Sequence, residues 1–466
     1  MSCGPRAEPG LIGGDHPRPR SRTRRLRLTL DARRTLLLAV LYVALLALGG
    51  GCAAQLVGSG EPIGLLDDQP PHAALGWTGV LGLPGVLGAL AGLGLWGARL
   101  IVWRRYRPWP ATARQDLPLL TVIVPCFNEG PAIVDTITSI CRCDYPHDRL
   151  ELIVVDDGST DDSAAWAASA LASLPFPARL MRLRHNQGKR QALARAMRAA
   201  RGELWVTTDS DCQLDEDMLR RITAPLVRDP AVGLVAGRVR VHAPVNGLQT
   251  LLQVVFQLTF DWGRTIQSRL GQVLCVPGAA AAHRAAAVRP VLDAWAGPAG
   301  ARGPVGEDRA LTNRLLRRGW GSVYQSNAVV RTRVPATLAG VCQMHLRWAR
   351  GDVRESLWYA GCLLGRHPRR RWRDGYFLLL AAEAAAPYVW LSAAAVLTLS
   401  EPRWLGVLPA LAIIASVPMA GLYALAYGRR EALWVPLHAL LWPLLHGWVG
   451  LAALITPHRR GWLTRV

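Results

Sequence analysis

The chain has 466 residues, 51% hydrophobic and 19% charged, and 54 Lys+Arg against 33 Asp+Glu leave a net charge of +21. This composition excludes a disordered chain and a small disulfide-stapled module. Nine cysteines without a C-x-x-C pair give neither a zinc nor a disulfide framework, so reduced thiols are expected.

Residues 1–34 are rich in Arg, Pro and Gly and lack a small-residue cleavage site after the first apolar block, which reads as a disordered basic arm. Segments 35–53 and 74–103 are each long enough to cross a bilayer, which takes roughly 20 apolar residues, so 35–104 is read as two transmembrane helices. The stretch between them carries Glu61, Asp67 and Asp68 but no Lys or Arg, whereas arginines flank the pair at 24–34 and 99–107. The positive-inside bias then puts the N-terminus and the middle of the chain in the cytosol.

From about residue 117 short β-branched runs alternate with Ala- and Leu-rich amphipathic stretches, the pattern of a mainly parallel α/β sheet. Strands are predicted at 120–124, 152–155, 180–183, 204–207, 232–241 and 272–276, and helices at 131–140, 189–201 and 308–317. An amphipathic helix from 338 toward 359 is expected to lie at the membrane interface, within a segment 335–373. Apolar blocks follow at 376–399, 405–427 and 433–455. Three full crossings would leave His458, Arg459, Arg460 and Arg465 outside the cytosol, so one block is expected to dip into the membrane without crossing. The candidates are 433–455, with Pro436, Pro443, His438 and His446, and 376–399, with Glu383 and Pro387.

Two β runs end in polar clusters, Pro125-Cys-Phe-Asn128-Glu129 and Asp156-Asp157-Gly158-Ser159. Open α/β sheets bind ligands at that carboxyl edge, although the second cluster alone could be a polar turn and helix cap. A third run leads into Asp209-Ser210-Asp211, hard oxygen donors that suit Mg²⁺ or Mn²⁺ on a diphosphate. Asp308, in Gly306-Glu307-Asp308, stands at a predicted helix start, where it could complement the helix dipole or act as a general base. His185-Asn-Gln-Gly188-Lys189-Arg190 puts two cations and backbone N–H groups before a helix, an arrangement that favours phosphate. Lys189 is the only lysine in the sequence. Further on, Arg347 and Trp348 could neutralise a diphosphate and stack on a sugar, or sit at headgroup level.

Taken in order, these motifs resemble those of family 2 processive glycosyltransferases, hyaluronan synthases and nodulation-type chitooligosaccharide synthases in particular. The resemblance covers nearly all of the soluble block. It implies a GT-A domain over 117–334, inserted between transmembrane helices at both ends (35–104 and 374–456). It implies that Asp156 and Asp157 hold uridine with Pro125, Asn128 and Glu129 nearby, and that Lys189 and Arg190 approach the nucleotide. Asp209 and Asp211 would carry Mg²⁺ or Mn²⁺, Asp308 would be the base of an inverting transfer, and Gly278, Glu307, Arg347 and Trp348 would face diphosphate and acceptor. Trp462, Thr464 and Arg465, in the tail 457–466, are similar to an element that closes over bound UDP. Two features depart from the family pattern. Met344 stands three residues before Arg347, where the family carries glutamine, and Gln343 is rotated from that position by about 100° on a helix. The acceptor segment around Gly278 is alanine-rich, at 279–282.

The function implied is a multi-pass plasma-membrane enzyme that polymerises, and translocates, a β-linked polysaccharide from UDP-GlcNAc, with or without UDP-GlcA. Its partners would be the donor, the growing polysaccharide and the bilayer. Alternatives are a non-processive transferase acting on a polyisoprenyl phosphate and a membrane transporter with a cytosolic domain. The net charge is explained by membrane-flanking arginines and anionic lipid, so no nucleic-acid partner is expected.

Overall fold

The protein is described from a computed structural model, which defines residues 94, 97–298, 305–364, 399 and 404–457. The predicted segments 1–34, 35–53, most of 74–103, 376–398 and the tail with Trp462, Thr464 and Arg465 lie outside these residues.

The elements follow the predicted alternation. They run β1 Leu120–Cys126, α1 Ala132–Cys141, β2 Leu150–Asp156, α2 Ser163–Ala172, β3 Ala178–Arg182, α3 Lys189–Ala199, β4 Leu204–Thr207, β5 Cys212–Leu214, α4 Met218–Arg228, β6 Val232–Val241, α5 Gly247–Val255, α6 Trp262–Arg269, β7 Ala281–Arg284, α7 Leu292–Ala296, α8 Glu307–Arg317, β8 Gly321–Thr332, α9 Leu338–Leu364, α10 Trp404–Ala426 and α11 Trp434–Ile455. A π-helical segment, Phe256–Asp261, joins α5 to α6.

The eight strands form one sheet in the order β3-β2-β1-β4-β7-β6-β8-β5. Strands β3, β2, β1 and β4 are parallel, as are β6 and β8, while β7 runs antiparallel to both of its neighbours. Every residue of β1 and β2 is buried, which is why both read as continuous apolar runs. Within β2, the buried Glu151 accepts hydrogen bonds from Thr121 Oγ1 at 2.6 Å and from Arg201 N, Arg201 Nε and Arg179 Nη2 at 3.0 Å each. Burial alone would push its pKa up; these donors more than offset that and hold it below the usual carboxylate range.

Chain order runs outward from β1 to β2 and β3, then returns to place β4 on the other side of β1. That reversal opens a crevice at the carboxyl edge between β1 and β4, the general ligand position of such sheets. Because β7 is antiparallel, its first residue, Ala281, pairs with Thr207 at the end of β4, and the segment before β7 reaches the same edge.

One predicted strand is absent. Residues 272–276 make a single bridge, Gln272 to Ser322, because side chains take later backbone donors: Leu274 N–H goes to Gln267 Oε1 and Val276 N–H to Thr312 Oγ1. Val273 and Val276 are buried in the core as a loop. Strands β5, β7 and β8 were not predicted.

Among the described residues one helix, Arg430–Ile455, is long and apolar enough to cross a membrane, with mean hydropathy 1.5. It contains α11, which stays helical through Pro443, so the irregularity expected at 433–455 is not seen. Helix α10 carries Pro409 and Pro418, and its apolar stretch Ala412–Ala426 is shorter.

Candidate active site

Four loops meet at the crevice. After β1, Asn128 takes φ 52° and is tied to the loop after β2: its N–H donates to Ser159 Oγ at 3.0 Å, and its Oδ1 accepts from Thr160 N at 2.9 Å. Glu129 N–H donates to Ser163 Oγ at 2.8 Å. Pro125 is buried beside Val155 at the end of the strand pair. These bonds fix the β1 loop as the wall of the crevice next to Asp156.

Asp156 and Asp157 are both 1% exposed, but they do different things. Asp156 Oδ1 accepts from Ser159 N at 3.1 Å, Arg182 Nε lies 3.6 Å from Oδ2, and Oδ2 has no hydrogen-bond donor among the described residues. Asp157 ties down the next loop: its two oxygens accept the N–H groups of Gln187 and Gly188, each at 2.8 Å. The Gln187 and Gly188 N–H groups, read from the sequence as part of a phosphate-favouring turn, are thus engaged by Asp157. Gly158 explains how the loops approach so closely, since at φ +73° a Cβ there would meet His185 C at 2.5 Å.

The loop held by Asp157 launches α3 at Lys189, whose ammonium pairs with Asp209 and lies 3.3 Å from Glu307 Oε1. Burial opposes the charge, but Asp209, Glu307 and Asp308 outweigh it and the pKa is raised. Gly278 packs directly on this ammonium, since a Cβ would sit 2.9 Å from Lys189 Nζ and 3.9 Å from Asp209 Oδ1.

Glu307 and Asp308 occupy the first turn of α8. Against the cost of burial, Lys189, then Arg347 and Arg190, keep Glu307 below its usual range. For Asp308 the balance goes the other way: burial and the charge of Glu307 push it up to about 6 against the pull of Lys189. Its Oδ1 accepts from Arg309 N at 2.8 Å, and the Cys275 thiol lies 3.7 Å from Oδ2. A narrow, partly open cleft is lined by Gly278, Glu307 and Asp308 together with Thr207, His283 and Trp295.

Asp211 Oδ1 accepts from Thr332 Oγ1 at 3.4 Å, which stations it on the β8 side of Asp209. Among the described residues no three His, Cys, Asp or Glu side chains are preassembled around a metal position. Two carboxylates still fit a hard cation such as Mg²⁺, which commonly binds through one or two carboxylates, waters and phosphate oxygens.

Residues 118–351 match the family model described as "Glycosyltransferase like family 2". The chain belongs to glycosyltransferase family 2. It is 33% identical over 277 residues to an N-acetylglucosaminyltransferase of Rhizobium meliloti (58% of this chain, 65% of the relative). With one from Neorhizobium galegae it shares 31% over 336 residues (70% and 75%), and with one from Azorhizobium caulinodans 34% over 243 residues (51% and 61%). The chain thus spans 65% and 61% of two of these curated relatives. Among solved structures it resembles a mannosyltransferase from Pyrobaculum calidifontis in complex with GDP-Man and Mn²⁺, with TM-score 0.53 and 26% identity over 78% of this chain and 95% of that one.

The family 2 domain embeds Arg190 and Trp348 in aromatic surroundings. Arg190 is buried, its guanidinium 5.7 Å from the Trp295 ring centroid and 3.5 Å from Trp295 O, so it braces α7 from within. Trp348 sits among aromatic rings, 5.0 Å from His345 and 6.1 Å from both Phe256 and Phe260. Gln343 is exposed, whereas Met344 packs against the core, so the rotation expected from their positions holds. Arg182, beside Asp156, was missed because a single arginine closing a short strand carries no motif. Gly351, opposite Gly306, was also missed, although a glycine inside a helical pattern is a recognisable signal of close approach.

Proposed function

We propose that this family 2 glycosyltransferase moves GlcNAc from UDP-GlcNAc to a hydroxyl of a growing β-linked oligosaccharide, with inversion, at the cytosolic face of the membrane. The observation that carries this reading is the meeting of Asp209, Glu307 and Asp308 around Lys189 at the crevice edge. The relatives named N-acetylglucosaminyltransferase support the choice of sugar.

Asp156, with an oxygen awaiting a donor, suits the imide N–H of a uracil base between the β1 and β2 loops. Asp157 holds the loop that aims Lys189. The acceptor hydroxyl oxygen attacks the anomeric carbon, the bond from that carbon to the diphosphate breaks, and the hydroxyl proton passes to Asp308. A pKa near 6 leaves Asp308 ionised at neutral pH yet basic enough to take it. Lys189 and Arg347 place positive charge where the leaving diphosphate gains negative charge. A Mg²⁺ or Mn²⁺ held by Asp209 and Asp211 would supply further charge neutralisation.

Repeated addition and passage of the product through the apolar helices extend the proposal, as does the use of UDP-GlcA as a second donor. Membrane vesicles given radiolabelled UDP-GlcNAc, with and without UDP-GlcA, Mg²⁺ or Mn²⁺, test it. Incorporation that requires metal, vanishes in Asp308→Asn and yields a ladder of lengthening oligosaccharides is the expected result. A single sugar on a lipid carrier would favour the non-processive reading, and undiminished incorporation by Asp308→Asn would remove that residue from its role.

A further inference from the structure

The turn bearing Glu307 and Asp308 is gripped from outside by α9. Gly306, at φ +82°, lies against Gly351 so closely that a Cβ on Gly351 would sit 3.1 Å from Gly306 Cα and 3.4 Å from both Gly306 N and Val305 O. Arg354 Nη2 donates to Val305 O. One turn along α8, Arg309 donates to Asp352 Oδ1 and to Ser356 Oγ, each at 3.0 Å. Asn313 Nδ2 donates to Glu355 O at 3.2 Å. The same helix is fastened on another side to the apolar C-terminal helix: Arg350 Nε donates to Thr456 Oγ1 at 3.0 Å, and the rings of His345 and Trp442 meet edge to face at 4.7 Å.

The ties on the Asp308 carboxylate itself are few, to the adjacent Arg309 N and to the thiol of Cys275. Its location is therefore set by the backbone of the 305–308 turn, which α9 grips from outside while Trp295 of α7 donates its Nε1–H to Glu307 O at 2.9 Å from within. We infer that Gly351 and Arg354 are positioning residues for Asp308, and that through them α9 ties the register of the base to the apolar helix α11. This inference rests on Asp308 being the base, as proposed above. Neither residue needs to touch substrate. Gly351 lets two backbones meet without a side chain between them, and Arg354 caps a carbonyl immediately before the acidic turn. Misplacing a reacting group by about 1 Å can cost on the order of 100-fold in rate, so a small slip at this joint reaches the chemistry.

The test uses the full chain in membrane vesicles, with Gly351→Ala, Arg354→Ala and Arg354→Lys. Alanine is the better helix former, a gain opposed by the strain of its Cβ against the Gly306 backbone, so Gly351→Ala is expected to change thermal stability little. Its kcat should nevertheless fall about 10-fold, with KM for UDP-GlcNAc changed less than about twofold. Arg354→Ala should lose about 10- to 100-fold in kcat with the same unchanged KM, and Arg354→Lys, which retains a donor for Val305 O, should recover most of it. Amide hydrogen exchange, which needs no turnover, should rise selectively at 305–313 in both alanine variants. Wild-type kcat in both of them, or exchange that rises equally across β1 and β2, would overturn the inference. Should wild-type vesicles incorporate no GlcNAc, the proposed function fails while exchange still decides the joint: a selective rise at 305–313 supports it and no change there overturns it.

Discussion

At Asp308, burial and Glu307 push one way and Lys189 pulls the other, and the acid settles near 6. A base must be ionised to accept a proton, so the rate should rise with pH through about 6 and fall below it. A pH–rate profile at saturating donor checks this, and Asp308→Asn should lower kcat by about 10²- to 10⁴-fold. Gly278 gives a second residue-scale outcome. Lys189 is pinned by Asp209 and Glu307, so the Cβ of Gly278→Ala meets an ammonium that cannot step aside without breaking a pair. A drop in kcat of about 10-fold or more is expected, with the fold intact by circular dichroism. The acids and Lys189 were legible in the sequence because strand ends and glycine turns announce them. The tie from Asp157 to the 185–188 loop was not legible, since only the path of that loop decides which of two adjacent carboxylates meets it.

Between elements, the crevice depends on loops that carry no chemistry themselves. Replacing Asp157 with Ala removes two hydrogen bonds to a buried carboxylate, each worth about 1.5–3 kcal/mol, and frees the loop that aims Lys189. Weaker UDP binding by titration calorimetry and a lower Tm should appear together. Glu151→Ala, far from the crevice, should lower Tm without changing KM, because it strands Thr121 Oγ1 and the Arg201 amide beneath β1 and β2. The folded-state pKa of Glu151 is depressed, so its contribution is present above the unfolded value and disappears as pH falls through the folded one. Strands β1, β2, β4 and β6 were predictable from dense β-branched runs. Strands β7 and β8 were not, because Ala-Ala-His-Arg has little intrinsic strand preference and the strand-favouring pairs of β8 are split by Gln325-Ser-Asn-Ala328, while both strands are held by neighbours on both sides.

For the whole molecule, α11 shows two faces. Leu437, Leu441, Leu444, Trp448, Leu451 and Ile455 are exposed, whereas Val435, Val449 and Ala453 are buried. The first set recurs at helical spacing and forms an apolar stripe that water would not tolerate. The protein is expected to stay in the membrane pellet after alkaline carbonate washing. Leu444→Lys, a charge on that stripe costing about 2.5–3.5 kcal/mol at a membrane centre, should reduce the fraction retained. Apolar block length was readable directly, whereas the way α9 links the acidic 305–308 turn to α11 depends on two glycine backbones meeting across 45 residues of chain and has no linear signature.

The wedging of Lys189 among acids also makes it a natural reporter. It is the sole side-chain amine in the sequence, and a raised pKa keeps it protonated and therefore poorly reactive toward acylating reagents. Neutralising both paired acids, as in an Asp209→Asn/Glu307→Gln chain, would lower that pKa and make the amine more reactive, so one acylated peptide seen by mass spectrometry would register the electrostatic state of the crevice without isotopes or substrate.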